Sequence, residues 1–139
     1  ITVAPELSAA LDAPVLMHPA DDMLWRMTHP DNDFRTVDDG DALTVAGIEL
    51  RALHTPGHSP GSVCWHAPEL NAVFSGDTLF QGGPGATGRS FSDFPTILES
   101  ISGRLGKLPG DTVVYTGHGD STTIGDELVN YDDWVARGH

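Results

Sequence analysis

One sequence feature recurs three times along this chain and constrains its fold more than any other. An apolar, strand-like segment runs into a turn built on glycine, and a side chain able to bind a metal stands in that turn. The three side chains are His58, Asp77 and His118. Loops at strand ends are where α/β scaffolds place their active groups. We therefore expect an α/β fold in which these three residues meet at one edge of a sheet.

The chemistry of the three side chains points to a metal site. Two imidazoles and one carboxylate are ligand types that suit zinc or non-haem iron. A carboxylate can also bridge two metal ions about 4 Å apart in a hydrolytic pair. A single histidine or Gly-Asp pair is more often an ordinary structural feature, so the prediction depends on the three occurring together and in order.

Hydrophobic periodicity predicts the other elements and a single α/β unit over residues 1–139. Glycine-rich residues 80–90 and acidic residues 31–41 are expected to be loops. Trp65, Tyr115 and Trp134 are expected in the core. The predicted helices cover residues 5–11, 19–25, 94–108 and 126–135, and the predicted strands cover residues 14–18, 43–45, 48–53, 62–66, 71–75 and 111–115.

Composition excludes several classes of function. Seven basic residues against twenty acidic ones give a formal charge of −13, which argues against binding nucleic acid or an anionic membrane. No apolar run approaches the roughly 20 residues needed to cross a bilayer. Cys64 is the one cysteine and lies in an apolar run, so we expect a buried, inert thiol and a cytoplasmic protein without disulfides.

The three motifs resemble those of a known family. Residues 55–62, 75–80 and 116–119 are similar to the third, fourth and fifth metal motifs of the metallo-β-lactamase superfamily. Residues 117–127 are similar to the short bacterial glyoxalase II-like proteins. The resemblance extends from Pro5 to about Trp134 and implies an αββα sandwich.

The resemblance also implies an activity and a ligand set. The family member would hydrolyse a small-molecule thioester through a metal-bound hydroxide. His58 would bind the first metal, His118 the second, and Asp77 would bridge both as the catalytic residue. Two zinc ions are implied for the full-length site, with iron as the alternative metal. Arg89 is the candidate for binding a substrate carboxylate through a bidentate pair.

The sequence departs from the family pattern at one point, since it contains no His-x-His-x-Asp-His motif. In the family that motif lies just upstream of a helix resembling residues 5–11. We therefore expect an N-terminally truncated, partial domain that is inactive alone and associates with another copy or a partner through its uncovered sheet. His18 and His54 are expected to be structural. The alternatives are an iron-dependent persulfide dioxygenase of the same fold and a non-catalytic metal-binding or interaction module.

Overall fold

A computed structural model describes residues 1–139. None of its helices has both the length and the apolar character needed to span a membrane. Short 3₁₀ turns cover Pro19–Asp21, Pro68–Leu70 and Leu105–Lys107. The main elements in chain order are α1 (Ala4–Leu11), β1 (Leu16–Met17), α2 (Asp22–Thr28), β2 (Arg35–Thr36), β3 (Ala42–Val45), β4 (Ile48–His54), β5 (Val63–Ala67), β6 (Ala72–Gly76), β7 (Leu79–Phe80), β8 (Gly83–Pro84), α3 (Phe94–Gly103), β9 (Val113–Thr116), β10 (Thr122–Thr123), α4 (Ile124–Leu128) and α5 (Tyr131–Arg137).

A six-stranded sheet forms the scaffold, with the strand order β10-β9-β6-β5-β4-β3. Neighbouring strands are antiparallel except β6 and β9, which run parallel, so their carboxyl ends meet at one edge. The predicted hairpin joins β3 to β4 through Ala46 and Gly47, whose φ angles are 51° and 80°. Positive φ at both central residues is typical of the type I′ turn that matches the twist of paired strands.

The main hydrophobic core lies on one face of the sheet, under α3, α4 and α5. Cys64 from β5, Val73 from β6 and Val114 from β9 pack there with Ile97 of α3 and Trp134 of α5. All five are buried. The apolar spacing predicted for the α3 segment is therefore the spacing of its core-facing side chains, whereas in the last predicted helix Trp134 is buried but Val129 is 80% exposed.

The opposite face of the sheet is much less covered. Phe74 and Tyr115 stack there with ring centroids 5.5 Å apart and are 40% and 48% exposed. The prediction that Tyr115 lies in the core was wrong, because β9 directs it to this open face. A neighbouring apolar groove of about 330 Å³ is lined by Pro14, Leu16, Leu43, Leu50, Trp65 and Phe74.

Several predicted boundaries differ from the structure. The helix predicted over 94–108 ends at Gly103, and a 3₁₀ turn follows before Leu108, which is extended with ψ of 156°. Pro109 follows directly and disfavours the α conformation at Leu108. The helix predicted over 126–135 is divided into α4 and α5. Both expected loops contain short pairings, β2 with β1 and β7 with β8.

Candidate metal centre

The loop that carries His58 follows β4 and lies directly against α3. Gly57 has a φ of 140°, and a side chain there would overlap the backbone of Ile97. The N–H of Asp93 donates to the carbonyl of Gly57 at 2.8 Å, and the hydroxyl of Ser100 donates to that of Pro56 at 2.7 Å. Glycine is therefore needed here because the helix approaches the loop so closely.

Asp21 holds the other side of the same loop. Its carboxylate accepts hydrogen bonds from the Ser59 hydroxyl at 2.7 Å and the Gly61 N–H at 2.6 Å. A Cβ at Gly61 would lie 2.6 Å from Cγ of Asp21. The sequence pattern does not identify Asp21 as a supporting residue, because an aspartate at this position is typical of a helix start. The one sign in the sequence that another segment approaches this loop closely is the glycine at position 61, two residues before β5.

The ring of His58 is oriented by a backbone carbonyl. Nδ1 donates to the carbonyl oxygen of Ala86 at 2.8 Å, since a carbonyl can only accept. A neutral ring with a protonated Nδ1 has its lone pair on Nε2. Nε2 lies 3.6 Å from Oδ2 of Asp77, and the His58 side chain is one-third exposed.

Asp77 stands in a tight turn after β6, supported from behind by buried polar groups. The Thr78 N–H donates to the carbonyl of Ser75, and the Gly85 N–H donates to the carbonyl of Thr78, both at 3.0 Å. Oγ1 of Thr78 lies 3.1 Å from Oγ1 of Thr55. Thr55, Ser75 and Thr78 are all fully buried, so the turn has a rigid base.

Cys64 belongs to this buried base rather than to the site surface. Its sulfur lies 3.2 Å from Oγ1 of Thr55 and donates to the carbonyl of Ser75 at 3.5 Å. Complete burial raises the pKa of the thiol to about 11, although the hydrogen bonds partly oppose that rise. The prediction of a buried thiol is confirmed, and its raised pKa disfavours the reactive thiolate.

His118 follows β9 and reaches the same carboxylate from the other side. Its Nε2 lies 3.7 Å from Oδ1 of Asp77. The N–H of Gly117 donates to the carbonyl of Gly76 at 2.7 Å, and a Cβ at Gly117 would overlap Oδ1 of Asp77. The parallel pairing of β6 with β9 thus brings the Asp77 and His118 loops into direct contact.

The predicted convergence of the three side chains is confirmed, with each Asp77 oxygen facing a different histidine. Nitrogen and oxygen donors around one tetrahedral zinc are about 3.3 Å apart. The observed spacings are only a few tenths of an ångström longer, so a metal ion beside either histidine would have two protein donors, the imidazole and one Asp77 oxygen. The structure contains no group of three or more His, Cys, Asp or Glu side chains that could hold a metal ion, so metal binding by these three residues stays a prediction.

A cleft of about 350 Å³ opens beside His58 and Asp77 and extends to His18 and Trp65. His18 stacks on His54 with ring centroids 3.9 Å apart, and Nε2 of His54 donates to the carbonyl of Pro60 at 2.9 Å. Burial, followed by the effect of His54, lowers the pKa of His18. Both rings therefore pack beside the His58 loop, as expected of structural residues.

Arg89 lies in the exposed part of the loop after β8. Its backbone N–H donates to the Ser92 hydroxyl at 2.9 Å, and that hydroxyl donates back to the Arg89 carbonyl. The guanidinium has no ion pair within the protein, unlike those of Arg26, Arg51 and Arg104. The Arg89 guanidinium therefore forms no ion pair with Asp77 or with any other carboxylate, and its role in binding a substrate carboxylate stays a prediction.

Comparison with known proteins places this site in a family. The model of the metallo-beta-lactamase superfamily matches residues 1–118, and the chain belongs to that superfamily. A relative named hydroxyacylglutathione hydrolase GloC, from Haemophilus influenzae, is 40% identical over 89 residues, which are 64% of this chain and 42% of the relative. The chain thus spans less than half of that relative.

Solved structures confirm the predicted fold class. The structure of TTHA1623 in a di-iron-bound form matches with a TM-score of 0.80 and 34% identity, covering 92% of this chain and 68% of that one. ETHE1 from Myxococcus xanthus matches with a TM-score of 0.74 and 26% identity, covering 91% of this chain and 53% of the other.

Proposed function

We propose that the protein is a metal-dependent hydrolase of thioesters, with His58, Asp77 and His118 as its metal ligands. The observation that carries the proposal is the position of the Asp77 carboxylate, which has one oxygen toward each histidine. The name of the Haemophilus relative supports a hydroxyacyl thioester as the substrate class.

The chain's own residues would hold and orient the site. His58 keeps one tautomer because its Nδ1–H is engaged by Ala86, which leaves Nε2 free as a donor. Asp77 would offer one carboxylate oxygen to each metal position. When bound, the ions would polarise the thioester carbonyl and lower the pKa of water. Arg89 would attract a substrate carboxylate to the rim of the site.

The number of donors sets an expectation for the isolated chain. Each metal position receives one histidine nitrogen and one oxygen of Asp77, whereas zinc sites normally have three or four protein ligands. Metal binding should therefore be weak, and thioester hydrolysis should not exceed background. Fusing a segment that bears the His-x-His-x-Asp-His motif to the N-terminus should raise both.

The proposal is tested by calorimetric zinc titration of the 139-residue chain. Replacing His58, Asp77 or His118 by alanine should weaken zinc binding. The loss should exceed the 10–100-fold that is typical when a residue hydrogen-bonded to a metal ligand is removed. His66→Ala is the matched control, because His66 is a half-buried histidine on β5 outside the site. Equal zinc binding by all four variants would rule out this metal centre.

An iron-dependent persulfide dioxygenase is the second candidate, supported by the likeness to ETHE1 and by the di-iron form of TTHA1623. The two candidates differ in metal and in reaction. The fused chain, purified from cells grown with both metals, would contain iron and consume oxygen with a persulfide if it were the dioxygenase. Zinc content with thioester cleavage and no oxygen uptake would support the hydrolase.

A further inference from the structure

Glu127 is a buried carboxylate with no role in the site described above. Only 4% of the residue is exposed, and both carboxylate oxygens accept hydrogen bonds. The N–H of Gly82 donates to Oε2 at 2.9 Å, and the hydroxyl of Thr122 donates to Oε1 at 2.7 Å. A buried charge that is fully hydrogen-bonded fixes the groups that bind it, because losing either bond leaves a desolvated oxygen unsatisfied.

The two donors belong to the two loops that carry metal ligands. Gly82 is at the tip of the β7–β8 hairpin, five residues after Asp77. Thr122 begins β10, four residues after His118. Glu127, in α4, therefore ties the segment after Asp77 to the segment after His118. One carboxylate sets how the two loops lie relative to each other.

The hairpin also supplies the one aromatic neighbour of His118. The Phe80 ring lies 4.6 Å from the His118 ring, centroid to centroid, at an angle of 37°. The His118 side chain is 77% exposed, and its ring makes no hydrogen bond to the protein. Unlike His58, which Ala86 orients, His118 depends on packing against Phe80 for its orientation.

We infer that Glu127 is a positioning residue for His118, acting through the β7–β8 hairpin and Phe80. The inference rests on the proposed metal site only for its functional consequence, since the packing itself exists without metal. Loss of the Glu127 bonds would free the hairpin tip, move Phe80 and release the His118 ring. The affinity for a metal ion next to His118 would then fall more than the affinity for a metal ion next to His58.

The test compares Glu127→Ala with Glu127→Gln. Glutamine has an oxygen that can accept from Gly82 and an amide that can donate to the Thr122 oxygen, so it keeps both connections. Proton NMR of the metal-free chain should show the His118 ring protons shifted by the Phe80 ring current in the wild type and in Glu127→Gln. That shift should be lost in Glu127→Ala. Leu105→Val, which removes one core methylene, controls for general destabilisation and should keep the shift.

Zinc titration followed at the ring nitrogens of each histidine completes the test. In Glu127→Ala the zinc concentration that half-saturates His118 should rise about 10–100-fold, with a smaller change at His58. An unchanged ring-current shift in Glu127→Ala, or the same loss in Leu105→Val, would overturn the positioning role. If zinc changes the resonances of neither histidine in the wild type, the proposed metal site is refuted. The ring-current comparison would still test the packing role of Glu127 by itself.

Discussion

Nδ1 of His58 donates a hydrogen bond to the backbone carbonyl of Ala86, 28 residues later in the chain and 2.8 Å away. Ala86 lies in the loop that follows the Asp77 turn, and the N–H of Gly85 next to it is bonded to Thr78. The segment from Asp77 to Ala86 therefore supplies both the neighbouring carboxylate and the carbonyl that fixes the tautomer of His58. Supporting contacts of this kind commonly tune a metal-binding histidine.

Gly117→Ala should disrupt the metal centre without unfolding the protein. The new Cβ would overlap Oδ1 of Asp77 and lie 3.0 Å from the backbone of Gly76, so the carboxylate must turn away from His118 and the two loops must move slightly apart. Zinc affinity measured by calorimetry should fall about tenfold or more. Gly88→Ala is the matched control, since Gly88 has ordinary φ and no atom within 4 Å of an added Cβ. Equal affinities in the two variants would contradict the close packing of Gly117 on Asp77.

Asp21→Ala should loosen the His58 loop. It removes the acceptor of the Ser59 hydroxyl and the Gly61 N–H, and one lost hydrogen bond to a charged group costs about 1.5–3 kcal/mol. We expect lower stability in urea and weaker zinc binding at His58. Asp21→Asn should keep most of the stability and most of the zinc affinity, because its amide group can accept from the Gly61 N–H and donate to the Ser59 hydroxyl. A full loss in Asp21→Asn would show that the negative charge, not the bonding, is what matters.

Alkaline pH should destabilise the protein through Cys64. The pKa of this thiol rises from about 9 to about 11 on burial, so the folded state resists ionisation that the unfolded chain undergoes. The contribution of the protonated thiol to the free energy of unfolding is fully present below pH 9 and is lost between pH 9 and 11, a fall of a few kcal/mol at most at about 1.4 kcal/mol per pH unit. Urea unfolding at pH 8 and 10.5 measures this fall. The same fall in Cys64→Ala would assign it to other groups.

The open face of the sheet should promote association. Phe74 and Tyr115 form an exposed aromatic pair beside the apolar groove, and such patches mark interaction surfaces. Sedimentation should show dimers or larger species, and Phe74→Lys should shift the chain toward monomer. Val129→Lys is the control, because Val129 is 80% exposed and follows α4. A compact wild-type monomer with cooperative unfolding would contradict the prediction.

The fold and the three converging side chains could be predicted because local sequence signals them. Glycine turns after apolar strands identify His58, Asp77 and His118 directly. Asp21 and Glu127 could not be predicted, since the backbone N–H groups of Gly61 and Gly82 that they bind lie 40 and 45 residues away in the chain. Tyr115 was misassigned because a strand alternates between faces, and its pattern does not show which face is covered.

The most direct test of the metal centre is anomalous diffraction at the zinc edge from crystals of the chain soaked in zinc chloride. We expect two peaks on either side of the Asp77 carboxylate, one within binding distance of Nε2 of His58 and the other of Nε2 of His118. The separation of the peaks should be about 3.5–4 Å, as in bridged hydrolytic pairs. Zinc bound only elsewhere on the chain, with no density next to Asp77 at saturating concentration, would contradict the account.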